Sequence, residues 1–376
     1  MSKYMSLQLA RGALQPPSAP NVPDRYTIIL KIEAIVLSVI RQIANDEPPC
    51  FVYDRRQDWD SVVYCHRRGL VRKDNSAKTV TSFGSATSIR KFALMLKVLS
   101  KIHYLLLTNT KSTKRQIFYE DVALFGSQTI VDAIVEDIAC MLQVPRRCLN
   151  ILATSKGVFT GDIRFRDASG NLVDGSVAVT LMPTDVSSIS ELASSASCIL
   201  VVEKDASFQK ILDDGFLNAS SSSGRCVLVT GKGFPDVNTR EFVRRLHVEL
   251  QLPVYALVDA DPYGIEILCV YAYGSLAMAS ETDSLAVPGI RWLGVHPSDI
   301  EKFRLRDCPP LSHGDKSKLR DLLSRPYADA NREWKKQLLL LDSMQRKAEI
   351  QSLCGIGQHF LTESYIPAKI RLGGWI

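Results

Sequence analysis

Apolar positions recur at helical spacing through the first part of the chain. Ile28, Ile32, Ile35, Val36, Val39, Ile40 and Ile43 mark an amphipathic helix that opens after Pro23-Asp24. Phe92, Leu96, Leu99, Ile102 and Leu106 mark a second. Thr113-Lys-Arg-Gln116 fits a capping box that opens a third, short helix, which carries Ile117, Phe118, Tyr119 and Leu124 and stops near Gly126. Ser127 is placed to cap a fourth, with Val131, Ile134, Val135, Ile138, Met141 and Leu142 on its apolar face and Pro145 beyond its end. Between the first two helices, Glu47 to Ser88 is polar, basic and without a clear period, and reads as irregular.

The pattern then shortens into strands. Leu149 to Thr154 and Gly161 to Arg166 read as a pair, with Ser169-Gly170-Asn171 as a turn. Ala178 to Ser197 reads as a bridging segment. Beyond it, Cys198 to Val202, Cys226 to Thr230 and Val254 to Val258 are continuously apolar, as strands buried on both faces of a mostly parallel sheet are. Ser220 to Ser223 with Gly224 is a low-complexity loop between two of them. Helices follow at Ile265 to Tyr273, Lys316 to Leu323 and Asn331 to Leu353, the last with an apolar Leu338–Leu341 patch.

At 376 residues the chain is expected to hold two or three domains. It has no run of about 18 apolar residues, so no membrane span is expected. The N-terminus lacks the apolar core of a signal peptide. Nine scattered cysteines, several inside apolar runs, read as reduced core thiols, and six scattered histidines make zinc a poor fit. Net charge is only +6, but His66 to Arg115 holds twelve Lys/Arg and one acid, Asp74. Such a basic block implies a polyanion partner, most simply nucleic acid; a solvated loop and helix face is the plainer alternative.

The ends of the buried strands carry the chemistry. Glu203 follows one strand, and Gly231-Lys232-Gly233 follows the next. Asp259 and Asp261 follow the third, two residues apart and so on one side of an extended chain. Open α/β sheets bind ligands at this edge. Bare carboxylates repel in so small a space, and a hard cation such as Mg2+ relieves that. The plainer alternative for Asp-x-Asp is a loop start. Glu266 falls in the following helix and reads as a surface residue. Gly231-Lys-Gly233 lacks the spacing of a P-loop, and no other ATP-binding signature appears.

Val-Val-Glu203-Lys-Asp, Thr230-Gly-Lys-Gly-Phe-Pro-Asp236 and Val-Asp259-Ala-Asp261-Pro-Tyr-Gly together resemble a Toprim domain. More narrowly, they resemble that of the topoisomerase VI A-type family, whose meiotic branch makes the double-strand breaks that initiate recombination. Ile151-Leu-Ala-Thr-Ser-Lys-Gly157 and Trp292-Leu-Gly294 are more similar to that branch. The resemblance runs from roughly Lys111 to Ile376. It implies an α/β multidomain protein: a winged-helix (CAP-like) DNA-binding domain followed by a Toprim α/β domain with a mostly parallel sheet. The boundaries expected are a mobile N-terminus (1–24), an N-terminal helix and basic segment (25–88), a winged-helix domain (89–185), and a Toprim domain with a helical extension (186–376).

The family's Arg-Asp-Ile-aromatic-Tyr motif falls on Arg115-Gln116-Ile117-Phe118-Tyr119, with Gln116 in place of the usual Asp. The resemblance then implies that Tyr119 attacks a DNA phosphate and stays joined to the 5′ end, with Arg115 as its basic neighbour. A phenol, with an ordinary pKa near 10, needs such help. It also implies that Glu203, Asp259 and Asp261 hold one or two Mg2+ ions. Lys114, Lys232 and Arg240 are candidate phosphate contacts. The resemblance further implies a homodimer on double-stranded DNA in the nucleus, on chromosomes, and a topoisomerase VI B-like protein docked on the N-terminal helix. That helix reads equally as core packing. The A-type component of a type IIB topoisomerase, a Toprim nuclease using water, and a DNA-bound scaffold with a silent site are the alternative functions.

Overall fold

The computed structural model describes residues 23–56, 58–73, 76–218 and 225–376. The terminal stretch before residue 23 and the serine loop at 219–224 lie outside the described residues. Helix α1 (Arg25–Ala44) starts where Asp24 accepts a hydrogen bond from the Thr27 N–H at 2.7 Å. It buries Ile28, Ile29, Ile32 and Val39, whereas Leu30, Val36, Leu37, Ile40 and Ile43 remain exposed.

The stretch expected to be irregular is not. Strands β1 (Cys50–Asp54), β2 (Val62–Cys65), β3 (Gly69–Arg72) and β4 (Lys78–Ser82) form two antiparallel pairs, β1 with β4 and β2 with β3. In β1, Phe51 and Tyr53 turn inward and Val52 outward, a period of two too short to stand out among the surrounding charges. The β2–β3 hairpin reaches far along the sequence. Val62 and Leu70 are buried in the core of the main sheet, Arg68 pairs with Asp283, and Trp59 meets Tyr327 edge-on. Gly69, at φ +88°, lies so near the Tyr273 carbonyl that a Cβ would come within 2.5 Å of its oxygen.

Helices α2 (Ile89–Leu107), α3 (Lys114–Glu120), α4 (Val122–Phe125) and α5 (Gln128–Leu142) share one core with α1 and β1. The single helix expected from Thr113 to Gly126 is broken. Asp121, at φ −154°, ends α3, and its carboxylate accepts from the Leu124 N–H to start α4. Ser127 precedes α5, but its hydroxyl bonds Thr129 rather than the helix backbone. Strand β5 (Ser112–Thr113) pairs in parallel with β6 (Ile151–Leu152), tying the start of α3 to the chain beyond α5.

The strands expected at 149–154 and 161–166 do not pair with each other: the first contributes β6, held by β5, and the second contributes the strand Arg164–Arg166. Strand β7 (Val158–Gly161) is hydrogen-bonded antiparallel to a strand of the main sheet, while β8 (Arg164–Arg166) and β9 (Leu172–Asp174) form a separate hairpin. Strand β10 (Thr180–Leu181) borders β7, and β11 (Ser190–Ala193) borders β8. Residues 158–181 therefore belong to the sheet side of the molecule, across the boundary expected at 185. Pairing partners, which the local pattern does not carry, decide this.

Strands β12 (Cys198–Val202), β13 (Cys226–Thr230), β14 (Val254–Leu257) and β15 (Arg291–Gly294) run parallel in a six-stranded sheet ordered β10-β7-β13-β12-β14-β15. Every residue of β12, β13 and β14 is buried, with Ile199 and Val201 in one layer and Leu200 and Val202 in the other. Helices α6 (Asp205–Asp213), α7 (Val237–Leu250), α8 (Pro262–Tyr273), α9 (Thr282–Leu285), α10 (Pro297–Lys302), α11 (His313–Ser324), α12 (Arg332–Met344) and α13 (Ile366–Leu372) complete this part. The long helix expected to reach Leu353 stops at Met344, where Gln345 turns left-handed at φ +53°. Helix α13 is anchored by Lys369, which donates to both Asp299 oxygens (3.0 and 3.2 Å) and contacts His296 Nδ1 at 2.9 Å. Tyr365 donates to the same carboxylate at 2.5 Å. Among the described residues, no helix is long and apolar enough to cross a membrane.

Candidate active site

Three carboxylates gather at the carboxyl edge of the parallel strands. Glu203 follows β12, and its Oε2 accepts from the backbone N–H of Asp259, just beyond β14, at 2.8 Å. Asp259 Oδ1 accepts from the Ile350 N–H at 2.8 Å, and its Oδ2 lies 2.6 Å from Lys204 Nζ. Asp261 caps α8, accepting from the Gly264 N–H at 2.7 Å. Gly264 has to be glycine: a Cβ there would stand 2.6 Å from the Asp259 carbonyl oxygen and 2.8 Å from Glu203 Oε2. The edge is thus packed down to single atoms.

The electrostatics match the crowding. Burial, with Asp259 and Asp261 nearby, pushes Glu203 up to about 8. Burial also raises Asp259 and Asp261, against the opposing pull of Lys204 on the first and of the Gly264 N–H on the second. As placed, no three His, Cys, Asp or Glu side chains among the described residues form a ready metal-ligand set. Lys204 sits on Asp259 instead, shared with Glu349 at 3.1 Å. Yet Glu203 Oε1 and Asp261 Oδ2 have no hydrogen-bond partner among the described residues. An all-oxygen carboxyl donor set with free lone pairs, its pKa values raised by a crowding that a cation would relieve, fits a hard divalent cation.

The tyrosine lies on the other core. Helix α3 opens with the expected capping box: Gln116 N–H to Thr113 Oγ1 at 3.1 Å, and Thr113 N–H to Gln116 Oε1 at 2.7 Å. Gln116, where the family motif has Asp, therefore makes both bonds of a cap. Tyr119 is 65% exposed, against Phe118 at a ring separation of 5.5 Å. Arg115 is exposed one helical turn before it, on the same face. The structure brings Glu203, Asp259 and Asp261 together; among the described residues none of the three bonds to Tyr119.

Two family models match this chain: the Toprim domain of the topoisomerase 6 A-type/Spo11 proteins over residues 198–370, and "Type IIB DNA topoisomerase" over residues 90–151. The meiotic recombination protein SPO11 of Mus musculus is 42% identical over 371 residues, covering 97% of this chain and 93% of that protein. The chain belongs to the topoisomerase VI A-type/Spo11 family. The A-type component of DNA topoisomerase 6 of Arabidopsis thaliana is 36% identical over 92% of this chain and 81% of its own length. The meiotic recombination protein W68 of Drosophila melanogaster is 36% identical over 77% and 85%. The Toprim domain of this family is a Mg2+-binding type of domain.

Against this Toprim edge the candidate phosphate contacts separate. Lys232 stays at the rim, in a left-handed conformation (φ +54°), with Nζ 3.4 Å from Asp205. Arg240 does not flank the edge: it is 2% exposed, and burial lowers its guanidinium to about 10. Its Nη1 donates to Met278 Sδ at 3.8 Å, and its Nε and Nη2 have no hydrogen-bond partner among the described residues. Lys114 is drawn inward as well, with Nζ 3.0 Å from Glu136 and 3.7 Å from Asp132. Glu266, expected at the surface, is buried and paired with Arg325 and Lys318. Of the twelve basic residues in the 66–115 block, Arg68, Lys78, Lys91, Lys101, Lys111 and Lys114 are in ion pairs. Sequence reasoning missed Lys204 as the counter-ion of Asp259, though its place directly after Glu203 is a signal that could have found it. It also missed Glu349, which belongs to a segment read as helix.

Proposed function

We propose that this topoisomerase VI A-like chain makes meiotic double-strand breaks by transesterification, with Tyr119 as nucleophile. The Tyr119 oxygen bonds to a backbone phosphorus as the bond from that phosphorus to the 3′ oxygen breaks. The phenolic proton ends on the freed 3′ hydroxyl. One phosphodiester replaces another, so breakage needs no ATP. The observation that carries this reading is an exposed tyrosine hydroxyl, unpartnered among the described residues and one turn from Arg115, on a helix whose start is fixed by a capping box.

Arg115 places positive charge beside the attacking oxygen. Lys232, at the rim, is the residue best placed to hold a neighbouring phosphate. Glu203, Asp259 and Asp261 would hold one or two Mg2+ ions, which stabilise charge on the phosphate and leaving oxygen when bound. Helices α2, α3 and α5 with the β5–β6 pair support reading the helical part as a winged-helix variant that carries the tyrosine to DNA. The apolar face left open on α1 supports docking of a topoisomerase VI B-like protein there. The working form is a dimer on chromosomal DNA in the nucleus.

The test is chemical. Protein with its partners is incubated with end-labelled duplex DNA, stopped with detergent and digested with protease. A 5′ end still carrying a peptide joined through Tyr119 supports the proposal, whereas free 5′ phosphates would mean water is the nucleophile.

A further inference from the structure

The ionic chain at the foot of α3 has no part in the chemistry above. Lys114, the first residue of α3, has only 16% of its side chain exposed, which leaves little for a DNA phosphate. Its ammonium sits on Glu136 of α5. The same Glu136 oxygen accepts from Arg146 Nη1 at 2.9 Å, just beyond α5. The Arg146 backbone N–H in turn donates to Glu281 Oε1 at 3.1 Å, immediately before α9 on the sheet side. Arg146 and Glu281 are both buried. Burial would raise the Glu136 carboxyl, but Lys114 and Arg146 together hold it below the usual range. A continuous polar path thus runs from the tyrosine helix to the Toprim part, beside a cleft of about 510 Å³ that Lys114 and Arg146 both line.

We infer that Lys114 is a positioning residue for the nucleophile, fixing the start of α3 through Glu136 and Arg146 to Glu281, and is not a DNA contact. The inference rests on the reading of Tyr119 as nucleophile. Helix α3 has seven residues and is broken at Asp121, so its own backbone bonds hold it weakly. The capping box and Lys114 secure its start, and Lys101 pairs with Glu120 at 2.6 Å at its end. Loosening one of these lets the phenol wander by a fraction of its reach, and misplacement by about 1 Å costs up to about a hundredfold in rate.

Lys114→Met is the informative variant: Glu136 keeps Arg146, and the carboxylate that loses its ion pair, Asp132, is 40% exposed to water. Full-length protein with its partners is assayed for covalent cleavage at saturating DNA, for DNA affinity across a salt series, and for melting temperature. The expected result is a cleavage rate lower by about tenfold or more, with affinity and salt slope as in wild type. Lys114→Arg should restore most of the rate, since it still reaches Glu136. Lys114→Gln is run alongside, so that a folding defect in the Met variant leaves the outcome readable. A wild-type rate at saturation overturns the inference. So does a salt slope flatter by about 0.9 with the saturated rate unchanged, which would make Lys114 a phosphate contact. Failure of the wild type to form a tyrosyl link would instead refute the proposed function.

Discussion

Tyr119→Phe removes one hydroxyl and nothing else, and the structure fixes what that deletion costs. The side chain is 65% exposed, and its hydroxyl has no partner among the described residues. No buried donor or acceptor is stranded, and the ring keeps its packing on Phe118. The change in stability should lie within about 0.5 kcal/mol, the range of a surface substitution. For a chain of this size that is a shift of about 2 °C or less in melting temperature. DNA affinity loses at most one hydrogen bond, about 1 kcal/mol or about fivefold. Covalent cleavage should vanish outright, because Phe118 offers no substitute hydroxyl. The assay pairs detergent-resistant retention of labelled DNA with gel-shift titration and a thermal melt of the same preparation. Retained DNA at more than about a tenth of the wild-type amount would place the nucleophile elsewhere. A melt lowered by about 5 °C or more would show that the hydroxyl has an internal role.

Two further outcomes follow from the same geometry. Because Tyr119 and the carboxylates sit on different cores and do not bond to one another, each site in the dimer is expected to combine Tyr119 of one protomer with the carboxylates of the other. Mixed dimers of Tyr119→Phe and Glu203→Gln chains should then nick one strand and become linked through the Glu203→Gln chain; mixed dimers that bind DNA without nicking would refute the composite site. Beyond the carboxyl end of β15, Lys369→Met leaves Asp299 buried without its ammonium, at 8% exposure of the lysine it loses. That should cost about 3–5 kcal/mol, read by denaturant unfolding, and a loss below about 1 kcal/mol would mean that Tyr365 and His296 suffice.

The sequence carried the parallel strands β12, β13 and β14 almost to the residue, since burial on both faces leaves an unbroken apolar run. It carried the capping box of α3, which needs only residues three apart. What it could not carry was whatever depends on a distant partner. Arg240 and Glu266 look like ordinary charged helix positions, and only the packing of α7 and α8 against the rest of the sheet side puts them inside. Lys114 sits in a basic block and reads as a DNA contact until Glu136 is brought beneath it. The break at Asp121 and the stop at Gln345 were missed because the apolar pattern continues past both. Strand β7 is not legible in the local pattern, because its neighbour in space, β13, lies some way along the chain.

The β2–β3 hairpin has a consequence for how the chain is made. Val62 and Leu70 emerge from the ribosome early, yet the surfaces that cover them belong to α8, α9 and the segment around Tyr327. Until those surfaces arrive the hairpin has an apolar side and nothing to rest on, a state open to wrong pairing and to holding by chaperones. The Toprim core is therefore closed by a piece of the opposite end of the protein. A fragment beginning at residue 186 would be short of that piece and of β7, so it should be insoluble or loosely packed when expressed alone; residues 58–73 added on a separate chain would replace the hairpin but leave the β13 edge without β7.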